Sequence, residues 1–300
     1  MEQIMSSKEK KTESKRRTGL ILEGGAMRGL FTCGVIDVFM ENGIDFDGAV
    51  GISAGAVFGC NYKSRQIGRP RRYNEKYCRD KRYCSIRSLI TTGDLYGADF
   101  CYRLLPDELD PFDREAFKND PMEFYVGATD VKTGECVFHK CSDGEDADMK
   151  WMQASASMPL VSRPVEVDGY VLLDGGIADS IPYEYMESIG YDHNVIVLTQ
   201  PEGYVKGKNR LLPLMKIFLR RYPAVIETLS KRHDMYNRQI TGIKEREKEG
   251  KAFVIRPPES LNIGRVEKDP EELERVYQIG RKEAERALPS LKEFLEIKGD

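Results

Sequence analysis

Histidine is scarce in this sequence, with three residues in 300, at positions 139, 193 and 233. A metal centre built on imidazoles is hard to assemble from so few, and a histidine-dependent catalytic triad has only three candidates. Cysteines occur at 33, 60, 78, 84, 101, 136 and 141, but the number is odd and no C-x-x-C pair is present. That pattern argues against a disulfide framework or a zinc ribbon. Long apolar runs are also missing: "RLLPLMKIFLRRYPAVI" is broken by Arg210, Pro213, Lys216, Arg220 and Arg221, well short of the 18 or so residues of a bilayer span. The opening "MEQIMSSKEKKTESKRRTG" lacks the apolar core of a secretory signal. Residues 1–17 therefore read as a disordered polar tail, and the expected location is cytoplasmic, at most peripheral at the inner membrane surface. A net charge of -3 gives no overall basic character, and no nucleic-acid partner is expected.

The chain is 40% hydrophobic and 32% charged, a composition suited to one globular α/β core. Order begins at "GLILEGG", a buried strand and tight turn, followed by helical spacing of Leu30, Phe31, Val35, Val38 and Phe39 up to Asn42-Gly43. "IDFDGAVG" is a second strand, and a helix restarts at Ala54. Strand, helix, strand, helix over about forty residues is the parallel α/β pattern. "PMEFYVGATDVKTGECVFHK" reads as a β-hairpin, "MKWMQASASMPL" as a short helix, and "PVEVDGYVLLDGG" as a hairpin turned on Asp168-Gly169. The sheet is expected to hold strands near 20, 49, 126, 172 and 196. The expected layout is a catalytic core over 18–205 and a mostly helical cover over 206–300. Between 61 and 90 lie ten Lys/Arg against two Asp/Glu, which reads as a basic insertion in that core. Its interleaved Tyr73, Tyr77 and Tyr83 suit, over 63–87, an anionic membrane surface or nucleic acid, or else a solvated basic helix. Residues 211–229 mix apolar and basic side chains and read as a lid, an interfacial segment or a packed surface helix.

Gly51-Ile52-Ser53-Ala54-Gly55 matches G-x-S-x-G between a strand and a helix. Small neighbours let a serine there expose its Oγ on a sharp turn, and the helix N-terminus favours negative charge beside it. None of the histidines is well placed to serve it. His139 sits mid-hairpin, His193 opens a strand at the opposite edge of the sheet, and His233 falls in the solvated basic stretch "SKRHDMYNR". Asp174 is the better candidate base, at a strand end with Gly175 and Gly176 behind it. The loop "EGGAMRG" ends the first strand, and its Gly24, Gly25 and Ala26 amides, with that of Ala54, are candidate oxyanion donors. Arg28 either holds this loop or meets an anionic head group. Gly24-x-Ala26-x-x-Gly29 is also a degenerate dinucleotide fingerprint. Its acids, Asp45 and Asp47, precede the second strand rather than follow it, which disfavours a nucleotide.

Together "EGGAMRG", "GISAG" and "DGG", in that order and at strand ends, resemble the patatin-like phospholipase family over about residues 18–200. "QASASMPLVSRPV" is similar to the family's segment before the aspartate. The resemblance implies a three-layer α/β/α fold with a mainly parallel central sheet (patatin-like, FabD/lysophospholipase-like). It implies a serine hydrolase with Ser53 as nucleophile, Asp174 as its only partner and Gly24, Gly25 and Ala26 as the oxyanion loop, acting without calcium or another cofactor. The implied substrate is an acyl ester of a phospholipid, lysophospholipid or glyceride. The sequence departs from the family at Glu23, where Asp is commoner, and at Ala26, which replaces a third glycine and fits if its φ stays negative. A non-catalytic lipid-binding or scaffold protein of the same fold, and an acyltransferase needing a well-placed histidine, are the alternatives.

Overall fold

The computed structural model describes residues 16–297. Of the expected disordered tail, residues 1–15 lie outside the described residues. Arg17 departs from that expectation: its guanidinium bonds Glu123 at 2.7 Å and stacks 4.0 Å over the Tyr191 ring. The first half of the chain forms β1 (Thr18–Leu22), α1 (Gly29–Glu41), β2 (Gly48–Ile52), α2 (Ala54–Lys63), α3 (Arg69–Tyr77), α4 (Ile86–Thr92) and α5 (Arg114–Asn119). A π-helical stretch, Phe100–Leu109, runs between α4 and α5. Then come β3 (Glu123–Asp130), β4 (Cys136–Cys141), α6 (Asp146–Ser155), β5 (Val165–Val167), β6 (Tyr170–Asp174), α7 (Tyr183–Ser188) and β7 (His193–Val197). The last elements are α8 (Leu212–Phe218), α9 (Pro223–Lys248), β8 (Ala252–Ile255) and α10 (Pro270–Phe294).

Strands β3, β2, β1, β7 and β8 run parallel in that order, and β4, β6 and β5 extend the sheet antiparallel. Both faces are covered, which is why the parallel strands read as unbroken apolar runs rather than as alternation. Within β1, Leu20 and Leu22 join the core formed with α1, α2 and α10, while Ile21 joins the opposite one with Tyr183 of α7 and Tyr236 of α9. The result is an α/β/α sandwich. The C-terminal cover is more than a cover. A Cβ on Gly34 of α1 would stand 2.2 Å from the Tyr277 carbonyl, and one on Gly280 of α10 2.0 Å from that of Phe31. The two helices therefore cross backbone to backbone, and β8 closes the far edge of the sheet.

The register of β3 positions the rest. One edge carries β4 over residues 124–129, and the other is shared: β2 pairs with residues 123–127 and β6, from the opposite direction, with 128–130. The last residue of β2, Ile52, faces Gly127, and the last residue of β6, Asp174, faces Ala128. Two chain segments 121 residues apart thus end against each other.

The basic stretch corrects the sequence reading. Arg69 is buried on the Asp110 and Asn61 oxygens, Lys63 is buried with its ammonium on the Asp120 carbonyl at 2.6 Å, and Arg65, Arg71 and Arg72 pair with Asp45, Glu274 and Asp110. Tyr73, Tyr77 and Tyr83 are buried in the core against Phe58 and Phe100. The segment is neither a loose insertion nor an open basic surface with exposed aromatics. A local count of charge misses it because the acids that answer it lie far along the chain.

Asp37 of α1 is fully buried, accepts the Tyr277 hydroxyl at 2.7 Å and the Gly68 amide at 2.9 Å, and has one oxygen unpartnered. Burial pushes its carboxyl up to about 6, against those two hydrogen bonds. A raised carboxyl favours the folded state while it is protonated, so its contribution is full below about 4 and is lost as pH rises through about 6. That loss is at most about 3 kcal/mol, since one pKa unit is worth about 1.4 kcal/mol. Thermal melts of Asp37→Asn should therefore gain on wild type by several degrees between pH 4 and pH 7.5. A difference that does not change with pH would show that Asp37 is ionised without cost.

Candidate active site

Ser53 follows β2 at φ 54° and ψ -122°, a conformation that L residues rarely adopt. The motif glycines make the turn possible through space. A Cβ on Gly51 would lie 2.5 Å from the Gly55 carbonyl, and one on Gly55 2.2 Å from that of Leu22. The turn is also held from outside, by a residue that the motifs do not reveal. Ser155, at the end of α6, accepts the Ser53 amide at 2.8 Å and donates to the Gly127 carbonyl at 2.6 Å. Only its place in a segment similar to the family's hinted at it.

The shared edge of β3 brings Ser53 and Asp174 together. Ser53 Oγ donates to Asp174 Oδ2 at 2.7 Å, and Asp174 Oδ1 accepts the Gly176 amide at 2.8 Å. The Asp174 backbone is fixed by its amide on the Ser157 carbonyl at 2.9 Å and by Thr129 Oγ1 on its carbonyl at 2.8 Å. Gly175 lies directly on the Gly127 carbonyl, where a Cβ would come within 2.2 Å. Burial raises the Asp174 carboxyl above its ordinary range, opposed by the Arg232 charge and by the hydrogen bonds from Ser53 and Gly176. Raising the pKa of a carboxylate makes it a better proton acceptor.

The glycine loop packs against the same serine, since a Cβ on Gly24 would meet the Ile52 carbonyl at 2.7 Å and Ser53 Cβ at 2.8 Å. Among the described residues, the Gly24 and Gly25 amides donate to no protein acceptor. Ala54 heads α2, where first-turn amides have no intrahelical partner. Gly29 opens α1 in contact with Phe58 and Ala54. Ala26 departs from expectation: its φ is +50°, so the methyl group is carried in the left-handed region that a third glycine would occupy without strain. Glu23 has a reason to be longer than Asp. Its buried carboxylate spans from the Thr199 amide, at 2.6 Å, to the Tyr236 hydroxyl on α9, at 2.9 Å.

Two cavities meet at Ser53. One, of about 100 Å³, is apolar and lined by Val57, Phe58, Tyr73, Tyr83, Tyr102 and Leu105. The other, of about 340 Å³, is polar and holds Glu23, Arg28, Asp174, Lys206, Arg232 and Arg265. His233 lines this second cleft half-buried, with its Nδ1 unpartnered, so its reading as a solvated residue is corrected. A basic neighbourhood in sequence hid the face of α9 that turns inward. The other histidines stay outside the cleft: His193 bonds the Phe294 carbonyl at 2.8 Å, and His139 stacks on Trp151 and bonds Asp148 at 2.7 Å. His139, Cys141 and Asp148 are the one cluster of metal-type ligands among the described residues. Asp148 there already accepts three backbone amides, which marks it as a loop-closing carboxylate.

Residues 20–186 match the model of a family described as Patatin-like phospholipase, and residues 222–296 match one described as a domain of unknown function, DUF6363. An uncharacterized NTE family protein of Mycobacterium tuberculosis is 27% identical over 184 residues, 61% of this chain and 49% of that protein. The uncharacterized protein YjjU of Escherichia coli is 28% identical over 203 residues, 62% and 52% of the two chains. Lysophospholipase nte1 of Aspergillus niger is 26% identical over 182 residues, 59% of this chain and 11% of that one. The chain thus spans about half the length of the bacterial relatives it matches, and far less of the fungal one. VipD of Legionella pneumophila superposes with a TM-score of 0.46 at 12% identity, over 92% of this chain and 67% of that structure.

Two substitutions in one loop should act in opposite directions. Ala26→Gly removes a left-handed L residue and should stabilise by about 0.5–1 kcal/mol, raising Tm by roughly 1–3 °C. Gly24→Ala drives a methyl group into Ile52 and Ser53 and should lower Tm. Equal melts for both would mean that the loop relaxes freely around either side chain.

Proposed function

The chain belongs to the patatin-like phospholipase family, a family of lipid hydrolases, and on that premise we propose that it hydrolyses acyl esters of lipids through Ser53 and Asp174. The observation that carries the reading is the 2.7 Å hydrogen bond between a serine held at positive φ and a buried carboxylate. Asp174 takes the hydroxyl proton as Oγ attacks the ester carbonyl, and the amides of Gly24, Gly25, Ala26 and Ala54 receive the developing oxyanion. The bond to the leaving alcohol breaks as Asp174 returns that proton to the leaving oxygen. Water then attacks the acyl–Oγ ester and gives its proton to Asp174. Oγ recovers it as the carboxylic acid departs. The apolar cavity suits the acyl chain, and the polar cleft suits the rest of the substrate.

Labelling by a fluorophosphonate and turnover of acyl esters test the reading. Wild type should do both, Ser53→Ala neither, and Asp174→Asn should lose at least about a thousandfold in kcat/KM. Because Asp174 must be ionised to accept the proton, and burial raises its pKa, kcat/KM should rise with pH through a limb lying above the ~3.9 of an exposed aspartate. His233→Ala is the control, since His233 lines the same cleft. Retention of that limb supports the dyad, and loss of the limb together with activity would assign the base to His233. Folded wild-type protein that neither labels nor turns over would leave the scaffold reading in front.

A lipid surface is the expected partner. Beside the cleft mouth, Leu211, Leu214, Ile217 and Phe218 of the α8 region are exposed, the last two at 67% each, next to the exposed cations Lys216, Arg220 and Arg221. An apolar ridge flanked by positive charge fits an anionic bilayer interface. Replacing Ile217 and Phe218 together by Ser should lower the partition coefficient in liposome sedimentation by roughly tenfold or more. Unchanged partitioning would remove α8 from the interface.

A further inference from the structure

The polar cleft carries more positive charge than its acids can answer. Arg28, Lys206, Arg232 and Arg265 line it, and none of their charged groups lies within 4 Å of a carboxylate among the described residues. The two acids in the cleft are already engaged: Glu23 accepts Thr199 and Tyr236, and Asp174 accepts Ser53 and Gly176. Arg28 has its Nε buried with no hydrogen-bond partner. Arg232 donates to the Gly176 carbonyl, and a Cβ built on Gly176 would stand 3.1 Å from both its Nη2 and Asp174 Oδ1, so the missing side chain is what admits the guanidinium beside the carboxylate. Lys206 lies 4.0 Å over the Tyr236 ring. Its ammonium is pushed down to about 8, by burial first and then by Arg232, with Arg28 and Arg265 adding to it against Glu23. These cations sense one another, and like charges gathered in a cleft, with Arg28, Lys206 and Arg232 half-buried and Arg265 exposed at the rim, are stabilised when an anion joins them.

We infer that this cleft is a subsite for a phosphate oxyanion on the leaving-group side of Ser53, so that the enzyme selects acyl esters whose head group carries a net-negative phosphate over neutral ones. The inference rests on the hydrolase reading above and deepens it. The apolar cavity also opens on Ser53 and suits the acyl chain, which leaves the cationic cleft for the alcohol part of the ester. Three of these four residues lie outside the patatin-matched stretch: Lys206 follows β7, Arg232 sits on α9 and Arg265 precedes α10. Arg232 and Arg265 belong to the region matched as a domain of unknown function. Its role here is to bring positive charge over the cleft. Charge-assisted hydrogen bonds to phosphate oxygens from Arg and Lys supply the recognition.

The test compares two esters with the same acyl chain, 1-acylglycerol 3-phosphate and 1-acylglycerol, below their aggregation concentrations. Wild type should favour the phosphate ester by at least about tenfold in kcat/KM. Lys206→Met and Arg265→Met should each pull that ratio toward one. The ratio is unaffected by a fraction of unfolded protein, which lowers both rates alike. Equal rates for the two esters, or a preference that both variants keep, would overturn the proposal. Calorimetric titration of Ser53→Ala with glycerol 3-phosphate and with inorganic phosphate separates this from failure of the hydrolase reading. Binding of glycerol 3-phosphate that weakens in Lys206→Met supports the subsite even if no ester is turned over. No binding of either ligand overturns it, as does equal binding of inorganic phosphate without any discrimination between the esters, which would assign the cleft to free phosphate.

Discussion

One edge of β3 decides where Ser53 and Asp174 meet. β2 and β6 run toward each other along it and stop at neighbouring residues, Gly127 and Ala128. Because the ladder fixes each strand by a row of backbone hydrogen bonds, the ends are placed with sub-residue precision. The carbonyl of Gly127 lies at the junction. Ser155 donates to it and, from the same hydroxyl, holds the Ser53 amide, while Gly175 rests on it from the other strand. Polar groups that would be costly if left unpaired in a buried place are thus used to hold Ser53 and Asp174 against each other.

The backbone strain in the site is concentrated at Ser53 and at Ala26 of the adjoining glycine loop. Ser53 and Ala26 both have positive φ, and both line the same cleft. Such backbone persists only where the surroundings over-determine it. Here the surroundings are the close contacts at Gly51, Gly55 and Gly24, which leave no room for an alternative turn. The same density that makes those glycines irreplaceable keeps the Oγ aimed at Asp174.

The C-terminal third is part of the site rather than an appendage to it. α10 lies backbone to backbone on α1, β8 completes the sheet, and α9 reaches the loop through the Tyr236–Glu23 hydrogen bond and the cleft through Arg232 and His233. Glu23, the sequence's departure from the commoner Asp, is the residue long enough to span that gap. Glycine loop and C-terminal helix are in this way coupled by one buried carboxylate.

The sequence by itself determined the α/β class, the strands near 20, 49, 126, 172 and 196, and the candidates Ser53, Asp174 and the Gly24–Ala26 loop. These were legible because each is a local rule: apolar runs bounded by glycine, or small residues that a sharp turn requires within five positions. Only the tertiary structure decided what no local rule encodes. Ser53 and Asp174 meet through the register of a third strand, and Arg65, Arg69, Arg71 and Arg72 of the basic stretch are answered by acids at 45, 110, 120 and 274. Ser155 holds the Ser53 turn, Lys206, Arg232 and His233 line the cleft, and Tyr236 bonds Glu23, all from outside the three glycine-containing motifs. Their placement depends on strand register and helix packing between distant parts of the chain, where electrostatic and steric partners are chosen by space and not by order along the sequence.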